Sequence, residues 1–301
     1  MRRSAGLTLV EVMIAMLLVL VVSAAALAFV ARGRDAQRAS ESLARLEETL
    51  DEAFALLADE IRLAGYLGLA AVGTAVAGAR PVGDPEPVDL AVAGGCAPSL
   101  ALDVAVPVTA SDGDYRIAPD LPIGCRPAPR GRHVTGSDVL ILRHAAALEA
   151  APAAGRMQVE SSLRAARLAT DGDPRLGAGA RWHDLEVGVY YVSADSTGRD
   201  GWSSLRRKRL VGGIRPAFQD EELVAGIADL QLELGFDDAG DGDTAVDRWA
   251  TPGDAVAGAT LRAVRLTLEA QSDVAESGQP VRSRHKRASR VIGLRNAEAA
   301  G

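Results

Sequence analysis

The chain has 301 residues, 48% of them hydrophobic and 24% charged, which suffices for one large domain or two small ones around a buried core. Aromatic residues make up only 4% and the net charge is −7, so neither base-stacking platforms nor a global attraction to phosphate backbones is present, and nucleic acid is not an expected partner. The 2 cysteines exclude a disulfide-dense scaffold and a four-thiolate zinc site.

From Leu7 to Ala31 only Thr8, Glu11 and Ser23 interrupt an apolar run. At about 1.5 Å per residue this run makes roughly 37 Å of helix, against a hydrocarbon core of about 30 Å, so it is expected to span a membrane. A secretory signal has an apolar core of about 7 to 15 residues. The run here is longer, although Ser23 to Ala28 imitates a signal cleavage site. Glu11 is the anomaly, because an unpaired carboxylate deep in a bilayer costs about 2.5 kcal/mol or more. It either reaches water at the headgroup boundary or meets a specific partner.

Gly6-Leu7-Thr8-Leu9-Val10-Glu11, behind Arg2 and Arg3 and ahead of the apolar run, resembles the type IV prepilin processing site. The resemblance implies that a prepilin peptidase cuts between Gly6 and Leu7 and methylates the new amine of Leu7, so that residues 1–6 are a leader. Family members usually carry phenylalanine where this chain has Leu7, and aliphatic residues are accepted there. A physical role for Glu11 follows. In a bundle of parallel helices the Glu11 carboxylate of one subunit meets the cationic Leu7 amine of its neighbour, and charge pairing at low dielectric rewards one axial register. Arg2 and Arg3 are balanced by Arg32 and Arg34, so charge counting does not orient the span. The resemblance places the leader in the cytoplasm of a Gram-negative bacterium and the rest in the periplasm, later at the cell surface.

Residues 7–31 therefore read as a membrane and assembly helix, and residues 32–65 as its amphipathic continuation. Leu43, Leu46, Leu50, Phe54, Leu57, Ile61 and Ala64 recur at spacings of three and four, an apolar stripe on one face. Gly65 is the expected cap, and Gly33 is expected to loosen the junction between the two halves. A separate coiled-coil stalk is the alternative, for which the heptad spacing lasts too briefly.

Residues 66–301 form the head. Between residues 66 and 136 prolines and glycines are dense, which predicts loops and short edge strands. Cys96 and Cys125 lie in that region. In an oxidising compartment a bridge between them would contribute roughly 3 kcal/mol by restricting the unfolded chain. Free thiols are the other reading. Residues 137–296 show the alternation of strands, at Val139–Leu142, Leu185–Val192, Leu205–Val211, Leu230–Phe236, Leu261–Ala270 and Ser289–Leu294. One face is expected to be buried and the other wet, as in an antiparallel sheet whose cover is the apolar stripe of the helix. The expected fold is α+β, a long N-terminal helix packed on an antiparallel head.

The chain as a whole resembles the PilW-type minor pilins. The carrying blocks are Leu56 to Gly68 at the helix end, Tyr190-Tyr191-Val192, Leu205-Arg206-Arg207, Leu223 to Leu232, the aspartate-rich loop with Trp249, and Val264 to Leu268. The resemblance implies a processed minor pilin that primes or caps a type IV pilus. Its implied partners are the prepilin peptidase, other minor and major pilins, the inner-membrane assembly platform and, before assembly, membrane lipid. A type II secretion pseudopilin shares the N-terminal physics. A periplasmic binding or enzymatic domain on an uncleaved signal anchor is the alternative from another class.

Little else carries chemistry. Asp237, Asp238, Asp241, Asp243 and Asp247 crowd a turn, and Asp237, Asp241 and Asp243 are the candidate ligands of a calcium loop, although the EF-hand spacing is not met and a solvated acidic hairpin is the favoured reading. His133, His144, His183 and His285 have no zinc-protease spacing, and no glycine-flanked serine nucleophile occurs. His183-Asp184 is an adjacent pair with a structural explanation. Arg282, Arg284, His285, Lys286, Arg287 and Arg290 form a basic run, read as an exposed strand face or a pilin contact. No catalytic residue and no enzymatic activity are expected.

Overall fold

A computed structural model describes residues 8–296 except 72, 119, 239–242, 244, 255–258 and 275–281. Gly6, Leu7 and Asp241 lie outside these residues. A single helix, α1 (Leu9–Leu63), runs for 55 residues without proline and continues through Gly33, where the sequence predicted a loosening. Its start is fixed by a capping box: Glu11 N donates to Thr8 Oγ1 at 3.3 Å, and Thr8 N donates back to Glu11 Oε2 at 2.8 Å. Its end is fixed by Gly65 at φ 80°, with Tyr66 N donating to Leu63 O at 2.9 Å and Gly65 N to Arg143 O at 3.0 Å.

The chain divides into two compact units. Met1–Glu47 and Ser272–Arg284 make the first, in which the buried hydroxyls of Ser42 and Ser272 lie 3.3 Å apart. Large side chains of the apolar run, Leu9 to Val22 and Leu27 to Val30, are exposed, and the helix is long and apolar enough to cross a membrane. The second unit, Glu48–Gln271 with His285–Gly301, holds the rest of the helix and the body of the head.

The strands are β1 (Val76–Ala77), β2 (Val108–Ser111), β3 (Arg116–Ala118), β4 (Leu121–Pro122), β5 (Val139–Glu149), β6 (Gln158–Ser161) and β7 (Ala166–Ala169). They continue as β8 (Arg181–Ser193), β9 (Ser204–Val211), β10 (Ala217–Ala225), β11 (Ile227–Asp238), β12 (Arg248–Ala250), β13 (Ala259–Val274) and β14 (Arg282–Gly293). An 8-stranded sheet runs β1-β7-β6-β8-β5-β2, with β9 on β8 and β10 on β9, and only the β1/β7 pair is parallel. A 4-stranded sheet runs β12-β11-β13-β14, and β3 pairs with β4.

Two features of the strands depart from the sequence reading. The strands form separate sheets, and the larger one is covered on both faces at its centre: Val187–Ser193 of β8 and Val139–Ala145 of β5 are buried throughout. Such strands need continuous apolar runs, which is what Gly188-Val189-Tyr190-Tyr191-Val192 supplies. Next, β10 was unforeseen, since Gln219 to Glu222 is acidic and polar. Its partner β9 is basic, and the register sets Asp220 opposite Lys208, Glu221 opposite Arg207 and Glu222 opposite Arg206. Cross-strand charge pairing overrides weak propensity there.

The proline-rich region, loops and short strands as expected, is bolted to the head. Cys96 and Cys125 form a disulfide. Glu86 accepts hydrogen bonds from Val92 N at 3.1 Å and Ser99 N at 3.0 Å. Arg143, only 1% exposed, donates to Leu100 O and Val106 O at 2.8 Å each and to Thr109 Oγ1 at 3.0 Å. Burial lowers its pKa to about 10 while Asp103 opposes the shift. A buried guanidinium thus satisfies carbonyls that loops would otherwise leave without donors.

Candidate assembly site on the N-terminal helix

The sequence-predicted register residue, Glu11, is the third helical residue after Thr8. Its Oε2 accepts both the Thr8 backbone N–H and the Thr8 hydroxyl, at 2.8 and 2.9 Å, leaving Oε1 exposed. The sequence signal for this cap is a threonine three residues before a glutamate, a pattern absent from the reading of the span above. Its consequence is that the carboxylate is held at the helix N-terminus, on the end of the macrodipole that favours an anion.

Farther along the helix, within the second unit, a charged clasp ties α1 to the sheet. Leu50, Phe54, Leu57, Ile61 and Ala64 of the predicted stripe are buried, with Ala53 beside them, whereas Leu43 is 46% exposed. Beside that stripe Glu60 Oε2 accepts from His144 Nε2 of β5 at 3.0 Å and Glu60 Oε1 from Arg207 Nη1 of β9 at 3.1 Å. Arg207 also reaches Glu221 and lies over the Tyr190 ring at 6.0 Å. Tyr190 in turn folds back over Gly188, where a Cβ would come within 2.6 Å of its ring. Nearby, Arg290 of β14 stacks on Phe54 at 4.6 Å and pairs with Asp51.

Burial opposes charge on both partners of the clasp, yet pairing prevails. Glu60 is held below its ordinary 4.5 chiefly by the His144 hydrogen bond and charge, and His144 is held above 6.5 by the Glu60 bond, its own bond to Ala145 O, and the charges of Glu60 and Glu186. Glu60, Tyr190 and Arg207 come from three separate sequence blocks, and the fold brings them together. Sequence reasoning named the blocks without seeing that they meet.

The other candidates separate. Asp237 is 5% exposed and engaged by Arg262 at 2.8 Å, while Asp243 is exposed and accepts Ala245 N at 2.8 Å. Among the described residues no group of three or more His, Cys, Asp or Glu is placed to hold a metal. His183 and Asp184 do not pair: His183 Nδ1 bonds Ala146 O at 2.8 Å, and Asp184 takes Arg156 at 2.7 Å and Gln158 at 2.9 Å. In the basic run, His285 pairs with Glu269, and Arg287 with Asp229 and Glu269. An open cleft of about 280 Å³ over β8 and β9, beside the segment that leads into β6, contains the Arg156–Asp184 pair with Glu186 and Arg209, and has no Ser, Cys or His in its lining.

Comparison with known families matches residues 1–27 to the prokaryotic N-terminal methylation motif and residues 189–296 to type IV pilus-assembly protein W. No curated protein and no solved structure matches the chain. The second match starts in β8 and takes in Tyr190, Arg207 and both strands β13 and β14. A methylation motif at the amino end and this assembly-protein match over the last third together support a type IV pilin-like minor pilus component.

Proposed function

We propose that this protein is a structural minor pilin without enzymatic activity, anchored in the inner membrane of a Gram-negative bacterium with a periplasmic head. Prepilin peptidase cuts after Gly6 and methylates the Leu7 amine; residues 7–31 then enter a parallel helical bundle with other pilins, and the protein primes or caps the pilus. Glu11 sets the axial register. The observation that carries this reading is the position of the Glu11 carboxylate, capped through one oxygen by Thr8 and exposed through the other, inside a chain region that matches the methylation motif.

The test separates capping from assembly. Thr8→Ala removes one side of the capping box, worth about 1 kcal/mol of local helix stability, and is expected to leave incorporation into sheared filaments largely intact. Glu11→Ala is expected to abolish incorporation while leaving the head folded. Wild-type incorporation of Glu11→Ala would overturn the register role. The pilus reading is preferred to a secretion pseudopilin because of the match over residues 189–296, and deletion is expected to remove surface pili without blocking exoprotein release.

A further inference from the structure

The large sheet forks along one flank of β8. β5 takes one flank of that strand over Leu185–Tyr190, and the other flank is shared by β6, paired with Arg181–Asp184, and β9, paired with Gly188–Ser193. Residues 185–187 lie where β6 and β9 part, and the open cleft of about 280 Å³ sits at this fork. Residues opposite each other in a ladder point to one face of the sheet. The pairs Asp184 with Gln158, Glu186 with His144 and Gly188 with Arg209 therefore set Asp184, Glu186 and Arg209 on the face that carries His144. Met157, Leu185 and Leu210 of the lining belong to the hydrophobic core beneath, so the cleft offers a ligand chiefly charged side chains.

Two of the charges in the cleft satisfy each other. Arg156 Nη1 donates to Asp184 Oδ2 at 2.7 Å and Gln158 Nε2 donates to Asp184 Oδ1 at 2.9 Å, while the Arg156 stem lies against Gly212, where a Cβ would come within 2.6 Å of Arg156 Cγ. The other two are not matched. Glu186 is partly buried and, among the described residues, accepts no hydrogen bond and makes no ion pair. Its ladder neighbour His144 has both ring nitrogens engaged, one by Ala145 O and one by Glu60. Burial pushes the Glu186 carboxyl up; Arg209, His144 and Arg207 oppose that shift from farther off, and Glu60 adds to it. Arg209 is 42% exposed and makes no hydrogen bond among the described residues; its Nε lies 3.9 Å from Glu221 Oε1, which Arg207 already holds at 2.6 Å.

We propose that this fork is a binding site for a free α-amino acid, which places its ammonium on Glu186 and its carboxylate on Arg209. The lining carries two cations, Arg156 and Arg209, and two anions, Asp184 and Glu186, so it favours neither a net cation nor a net anion. What it lacks is a donor for Glu186 and an acceptor for Arg209, and a zwitterion supplies both. Glu186 is diagonal to Arg209 across the β8–β9 ladder, a placement that sets the roots of two side chains about 7 to 8 Å apart. That spacing leaves room for a ligand whose opposite charges are one carbon apart, with a charge-assisted bond of about 2.7 to 2.9 Å at each end. The planar fork of a guanidinium fits a carboxylate, and an ammonium gives a partly desolvated carboxylate the donors that burial has removed. Both side chains stand on paired strands rather than on loops, so the site exists before the ligand arrives.

The test is ligand-observed saturation-transfer NMR on the full chain in a non-ionic detergent. L-alanine is the probe, and propionate and ethylamine are its two halves, each keeping one charge. L-alanine is expected to bind saturably and at least about tenfold more tightly than either half, tenfold being about 1.4 kcal/mol. Glu186→Gln is expected to bring L-alanine down to the affinity of propionate and to leave propionate unchanged, whereas Arg209→Gln brings it down to that of ethylamine. A wild-type urea midpoint shows that each variant is folded, and because the two residues lie on different strands either variant alone decides the question. No saturable binding of L-alanine to the wild type, halves that bind as tightly as L-alanine, or a folded variant with wild-type affinity would overturn the proposal. The cleft uses no residue of α1, so its failure would leave the pilin reading standing.

Discussion

Removing the Glu60 carboxylate should detach the helix from the sheet more than any exposed change on α1. In Glu60→Ala, His144, 4% exposed, and Arg207, 18% exposed, both lose their acceptor. A buried donor left without a partner costs about 1 to 3 kcal/mol. Arg207 keeps Glu221 at 2.7 Å, and Glu60 is itself 28% exposed, so solvent moderates the loss and about 2 to 3 kcal/mol is expected in total. With a urea slope of about 2 to 3 kcal/mol per molar, the midpoint falls by about 1 M. Tryptophan fluorescence of the full chain in detergent reports the transition through Trp182, Trp202 and Trp249. Asp59→Ala is the control: Asp59 is 82% exposed and pairs with the exposed Arg62, so it should change stability by less than about 0.5 kcal/mol. The pH dependence supplies a second check. The lowered Glu60 contributes above its ordinary 4.5 and is lost as pH falls through its folded value; the raised His144 contributes fully below 6.5 and is lost as pH rises through its folded value. The clasp is therefore strongest between about 4.5 and 6.5, and the deficit of Glu60→Ala should shrink above that window. A loss no larger than that of Asp59→Ala, or one independent of pH, would refute the reasoning.

Two further outcomes follow from the packing of the head. Gly68→Ala places a Cβ 2.4 Å from Ser161 Oγ, which cannot move without releasing Leu69 N, and 3.0 Å from His183, at φ 76°; it should cost about 2 kcal/mol or more, against roughly 1 kcal/mol for Gly177→Ala at φ 81° with nothing within 4 Å, both read by urea midpoints. Replacing Cys96 and Cys125 by serine opens a loop of sequence separation 29 and should lower stability by roughly 3 to 4 kcal/mol, which reduction of the wild-type protein should reproduce in the same denaturation assay.

Much of this architecture was legible because its signals are local and periodic. The apolar run from Leu7 to Ala31, the stripe through Leu50, Phe54, Leu57 and Ile61, and the alternation at Leu230 to Phe236 each declare a helix or a strand within a few residues. What stayed hidden depends on partners distant in sequence. β10 is a strand because Arg206, Arg207 and Lys208 stand opposite its carboxylates, and nothing within Gln219 to Glu222 announces that. Arg143 reads as a surface residue until the fold surrounds it with the carbonyls of Leu100 and Val106. The clasp joins positions 60, 144 and 207, and the separation of those residues along the chain removes any short-range pattern. At the N-terminus the signal is fully local: Thr8 and Glu11 form a capping box three residues apart, and the same glutamate is also a charge at the edge of an apolar run, so one residue carries two signals.

The central claim is that this chain is processed and assembled as a pilin, and the most direct test is the intact mass and N-terminal sequence of the protein isolated from membranes. The account predicts a chain that begins with N-methyl-leucine at Leu7. A chain that begins at Met1, or one cut near Ala28, would contradict it.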